Sequence, residues 1–183
     1  MKKIIFLLSL VSAVSLFSAG EELVANGDFQ KVRPNGHPEM WSIQKWQEPA
    51  AVNGASAAGK DGESDRALSL ESSAGRGYIV AAQNLKLEPA KNYTYTFRCR
   101  SEKIQAEKAF DGGSVLIECN GKILSSYNVP RKDEAGWVEC KRSFYTGKLQ
   151  AGARCRVLLI MRNGTGKVFF DNFSLKDTTV SGK

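Results

Sequence analysis

Few side chains in this 183-residue chain are equipped for catalysis, and they are scattered. Its one histidine, His37, sits between Gly36 and Pro38 in a turn-like stretch, which leaves little room for histidine-metal sites or a Ser-His-Asp relay. The closest run of acids is Glu63-Ser64-Asp65. A glycoside hydrolase needs two carboxylates facing each other across a cleft, and this run lies in residues 47–66, whose Ala, Gly, Ser and Asp content reads as an exposed loop. A polysaccharide lyase would want His, Tyr and Arg together, and only His37 is available. There is no Gly-x-Ser-x-Gly elbow and no phosphate-cradling loop. Cys99, Cys119, Cys140 and Cys155 lack the Cys-x-x-Cys spacing of a zinc site. The residues therefore point to binding rather than catalysis.

The elements that must position such residues follow from the hydrophobic pattern. Apolar residues recur at period two between Gly, Asn, Pro and Asp clusters, which is the mark of strands. Strands are expected near Glu22–Val24, Met40–Ile43, Ala67–Glu71, Tyr78–Leu87, Tyr93–Arg100, Ser114–Cys119, Trp137–Phe144, Cys155–Arg162 and Val168–Leu175. About nine short antiparallel strands in one domain make an all-β sandwich or barrel. Turns are expected at Pro34-Asn35-Gly36, Asn53-Gly54, Asp61-Gly62, Asp111-Gly112-Gly113 and Asn163-Gly164, and a two-residue hairpin at Asn120-Gly121. Residues 101–110 read as a single helical turn. Strand phase turns Tyr93, Tyr95, Phe97 and all four cysteines inward. Arg142 also falls on an inward phase, which calls for a bulge or an ion pair.

Met1-Lys2-Lys3, the apolar run Ile4 to Phe17 and the small residues Ser18-Ala19-Gly20 have the three-part layout of a signal peptide. The run is shorter than the roughly 20 apolar residues of a membrane span. The reading is a leader over residues 1–20, cleaved near Ala19 or Gly20, and one secreted or extracytoplasmic domain over 21–183. Export permits disulfides, and four cysteines allow three pairings; buried free thiols are the alternative. Without the leader the net charge falls from +7 to +5, and the excess sits beyond residue 92, where 16 basic residues face 9 acidic ones. The modest charge and the export signal argue against a nucleic-acid partner.

Leu23-Val24-Ala25-Asn26-Gly27-Asp28-Phe29-Gln30 resembles the opening of carbohydrate-binding modules of the family 4/9 type, whose first strand runs into Asn-Gly-x-Phe-Glu. Pro38 to Trp41 resembles their Pro-x-x-Trp. Gln83 to Pro89 followed by Tyr93-Thr94-Tyr95-Thr96-Phe97, then Trp137 with Phe144, and the closing Val168 to Leu175 continue the likeness in order. The resemblance implies a jelly-roll β-sandwich of the galactose-binding-like type that binds glycan without reacting with it. It also implies a structural Ca2+ held by Asp28, Gln30 and Asp171, with Gln30 standing where the family usually has a Glu.

A sugar-binding surface pairs exposed aromatic rings with polar groups that satisfy hydroxyls. Trp46, in a polar loop, Tyr78, on the outward phase of Asn84, and Tyr127, between Ser126 and Asn128, are the aromatic candidates. Asn84, Glu139 and Lys141 are the polar ones. Arg98, Arg100, Arg154 and Arg156 flank two cysteines in matching triplets. If their strands are neighbours they form a cationic patch suited to uronate or sulfate, so acidic sugars are among the expected ligands; the other reading is edge protection and solubility. The expected partner is a poly- or oligosaccharide, with a glycan-degrading enzyme as a second partner. A surface or assembly protein using the same sandwich is the competing class.

Overall fold

The computed structural model describes residues 20–46, 52–59, 62–131, 136–150 and 152–179, and for residues 46, 52–59 and 62–64 it describes the backbone. Apart from Gly20, the expected leader lies outside these residues. The chain forms β1 (Ser42–Trp46), β2 (Val52–Gly59), β3 (Gly62–Ser72), β4 (Tyr78–Leu85), β5 (Asn92–Gln105), β6 (Gly112–Cys119), β7 (Lys122–Asn128), β8 (Val138–Tyr145), β9 (Cys155–Arg162) and β10 (Thr165–Asp177). They build two five-stranded antiparallel sheets, ordered β1-β4-β9-β6-β7 and β2-β3-β10-β5-β8. This is the expected all-β sandwich. Among the described residues no helix is long and apolar enough to cross a membrane.

Four local expectations are corrected, the first being the strand near Glu22–Val24, which is only an isolated bridge between Glu22 and Lys176. Residues 52–59 and 62–66, read as loop, are the two arms of a hairpin, and Asn53-Gly54 lies inside β2. Their small residues suit β2, which has a partner on one side only. Residues 101–105 continue β5 rather than turning helical, because β10 supplies hydrogen-bonding partners as far as Thr165 opposite Gln105. Finally, β7 is the second arm of the Asn120-Gly121 hairpin. It lacks a clean alternation because it is an edge strand with few buried side chains.

The Asn120-Gly121 turn takes positive φ at both residues, 49° and 81°, with Cys119 opposite Lys122. That is the two-residue turn whose twist matches its strands.

Between the sheets an aromatic column fills the core. Tyr95 and Phe97 stack on Phe173 at 5.8 and 5.6 Å, and Trp41 meets Phe173 edge-on at 6.3 Å. Trp41 is fully buried and its indole N–H donates to the Asn26 carbonyl at 3.1 Å. Local hydrogen bonds and close packing explain the Asn-Gly-Asp-Phe opening. The Asn26 side chain donates to the carbonyls of Lys31 and Glu39 and accepts from the Lys31 N–H, closing the loop on itself. Gly27 packs so tightly on β10 that a Cβ there would sit 1.8 Å from the Phe173 carbonyl oxygen.

All four cysteines are buried in this core. Cys119 and Cys155 are bonded across β6 and β9, whereas Cys99 and Cys140 are free thiols with sulfurs 3.7 Å apart. A second, smaller apolar cluster of Val80, Ala82, Leu116, Leu158 and Ile160 lies on the opposite face of the first sheet, so its central strands are apolar on both faces.

Candidate functional site

On the outer face of the second sheet, register lines polar side chains up across three strands. Asp171 of β10 stands opposite Arg98 of β5, which stands opposite Glu139 of β8. The next outward row is Ser174, Thr96 and Lys141, and the one after it Lys176, Thr94 and Ser143. Thr96, Arg98, Glu139, Lys141 and Asn172 line an open cleft of about 380 Å³ on this face.

A bulge between Asp171 and Ser174 shapes one wall. Asn172 adopts a positive φ of 50° there and turns outward, which restores the inward phase for Phe173 and Leu175. Asp171 itself is fully buried. Its Oδ2 accepts from the Arg98 guanidinium at 2.7 Å and its Oδ1 from the Asn172 N–H at 2.7 Å. Burial pushes the Asp171 carboxyl above its ordinary range and nearby Asp65 adds to this, while the Asn172 N–H and Arg98 pull the other way.

Next to the cleft Trp137 meets Phe169 edge-on at 6.4 Å. The Arg100 guanidinium lies 4.1 Å from the Phe169 ring centre and 5.4 Å from that of Trp137, and Arg98 lies 5.9 Å from Trp137. Arg100 also pairs with Glu102 at 3.3 Å. Chemically the face offers a carboxylate acceptor, ammonium and guanidinium donors, a hydroxyl, an amide and a half-buried indole. That set can satisfy sugar hydroxyls while one ring covers C–H groups.

The structure brings only part of the expected set together. Glu139 and Lys141 share the cleft. Tyr78 and Asn84 lie on β4 of the other sheet, where Tyr78 packs on the smaller apolar cluster and Asn84 stands beside Arg156. Trp46 stands opposite Tyr78 in the backbone register, and its side chain lies outside the described residues. Tyr127 packs against the main core, edge-on to Phe97 at 5.4 Å.

The four arginines form no common patch. Arg98 and Arg100 belong to the second sheet, Arg156 to the first with Arg154 just before it, and Arg156 pairs with Glu118 at 3.2 Å. Arg142 is exposed and needs no bulge, because β8 is an edge strand and its guanidinium reaches across to the Tyr127 ring at 5.4 Å. Thr96 and Asn172 are site residues that the sequence reading does not name, Arg98 is expected only in the cationic patch, and Trp137 only as part of the family resemblance. Outward phase marks Thr96 and Arg98 in the sequence, but the bulge that exposes Asn172 has no clear sequence signal.

Of the residues named for Ca2+, Gln30 reaches the start of β3, and among the described residues no three of His, Cys, Asp and Glu cluster as metal ligands. Asp28 and Gln30 are exposed on the opening loop, and Asp171 lies on β10, the neighbour of β3. The Gln30 Nε2 donates to Asp65 Oδ1 at 2.7 Å, the Asp28 carbonyl at 3.0 Å and the Arg66 carbonyl at 3.2 Å.

The sequence matches no family model and no curated relative. Its fold is shared with solved carbohydrate-binding modules. A CBM4 module superposes with a TM-score of 0.58 at 16% identity, covering 84% of this chain and 99% of that one. The CBM22-1 xylan-binding domain of Paenibacillus barcinonensis Xyn10C gives 0.56 at 14% identity, covering 89% and 98%. The enzymatically active domain of bacteriophage CBA120 tailspike protein 4 gives 0.63 at 12% identity, and there the chain spans 21% of the longer protein. The fold is thus that of carbohydrate-binding modules, and it also occurs as one part of enzymes.

Proposed function

We propose that this protein is an exported, non-catalytic carbohydrate-binding module that holds a poly- or oligosaccharide across the outer face of β10, β5 and β8. The observation that carries this reading is the open cleft in which Glu139, Lys141, Arg98, Thr96 and Asn172 converge beside Trp137. The modules that share the fold include one solved with β-1,4-galactotriose and one with a β-1,3-1,4-mixed-linked tetrasaccharide, which makes neutral β-linked chains the first ligands to try. The pairing of Arg98 and Arg100 with acids favours neutral over acidic sugars.

Binding rather than hydrolysis fits the carboxylates. Asp171 is buried and ion-paired, which leaves Glu139 without a second solvent-facing acid among the lining residues. Affinity electrophoresis through gels containing xylan, galactan, mixed-linked glucan and a uronate polymer tests the reading. Retardation by at least one neutral polymer is expected, and free migration through all of them would sink it.

A further inference from the structure

The corner where the opening loop meets β3 and β10 is a place where a dication would have to find oxygen ligands, and there the chain presents nitrogen. Calcium takes six to eight oxygens, carboxylates among them. Three oxygens do converge: the carbonyls of Asp28 and Arg66 and the carboxylate of Asp65. What they converge on is the Gln30 amide nitrogen. With no cation there, the amide turns its nitrogen toward them, since all three partners are acceptors and the amide oxygen would gain no hydrogen bond. Of the two acids that remain, Asp28 accepts the Gln30 backbone N–H at 3.4 Å, and Asp171 is already matched by the Arg98 guanidinium at 2.7 Å, whose fixed charge would repel a dication. A glutamate at position 30 would supply the missing negative charge, and the chain has a neutral amide.

We propose that Gln30 and Arg98 together hold this corner closed without a bound cation, the amide bridging the opening loop to β3 and the guanidinium discharging Asp171 on β10. The three strands and loops that a metal would tie together are tied by the chain's own donors. The Gln30 half of the assignment stands apart from the sugar-binding reading, since none of its contacts lies in the cleft, whereas Arg98 also lines the cleft.

Thermal melting with EDTA and with added calcium, on wild type and Gln30→Glu, tests this. Wild type should melt at the same temperature in both. Gln30→Glu should melt about 5 °C lower in EDTA, because a carboxylate then faces three acceptors, and calcium should restore it. Should Gln30→Glu fail to fold without calcium, calorimetric titration of calcium into wild type decides: absence of a saturable binding heat is expected. A wild-type midpoint that falls in EDTA and recovers with calcium, a saturable calcium heat in wild type, or a Gln30→Glu protein as stable as wild type in EDTA would each overturn the proposal.

Discussion

Arg98 and Asp171 stand opposite each other on β5 and β10, their charges 2.7 Å apart, with Asp171 fully buried and Arg98 nearly so. This pair shapes the binding face from within: the aspartate anchors the bulge that turns Asn172 outward, and the guanidinium forms part of the cleft.

Removing one member of a buried pair leaves the other charge unmatched. Arg98→Ala should therefore destabilise the fold by about 3–5 kcal/mol, measured by urea unfolding. Replacing both residues should cost less than the two single changes added together.

Asp171 should titrate above the ordinary carboxylate value of 3.8, and Asp65→Asn should bring it down. Because its folded value is raised, its stability contribution is complete below 3.8 and is lost as pH rises through the folded value. Carboxyl-carbon NMR reads this directly; a value at or below 3.8 would contradict it.

Glu139 and Lys141 are exposed, so their loss should touch binding and not folding. Glu139→Ala and Lys141→Ala should each weaken glycan affinity about tenfold, roughly one lost hydrogen bond to a charged group, with an unchanged midpoint of melting. Tyr78→Ser, on the other sheet, should leave affinity unchanged.

Of the two free thiols, Cys140 should alkylate first. The Cys99 thiol donates to it and holds it down to about 7 against the opposing effect of burial, with help from the Tyr127 hydroxyl and Arg142. Cys99 is pushed far up by the same contact and by burial. Alkylation by iodoacetamide should show a midpoint near pH 7, and Tyr127→Phe should move it upward.

Much of the fold is legible in the sequence because alternation reports burial directly. Tyr93, Tyr95, Phe97 and the four cysteines all face the core as their phase requires. The Asn120-Gly121 hairpin is legible because only certain residues tolerate its φ angles. Edge strands are harder to read: β2 is made of small residues and β7 of mixed ones, and each is held by pairing with a neighbour rather than by its own apolar face. The site is half legible for a related reason. Glu139 and Lys141 lie on a regular outward phase, whereas Asn172 depends on a bulge and Trp137 on the strand pairing that sets it beside Phe169. Which outward face matters depends on strand order, and that also separates Tyr78 and Asn84 from Glu139.

Titration of isotopically labelled protein with soluble xylan, galactan and mixed-linked glucan oligosaccharides, followed by NMR, locates the glycan on the molecule. At least one of them should shift the amide signals of Thr96, Arg98, Lys141 and Asn172 while those of Tyr78 and Asn84 stay in place. Shifts confined to Tyr78 and Asn84, or no shift with any oligosaccharide, would contradict binding on the face of β10, β5 and β8.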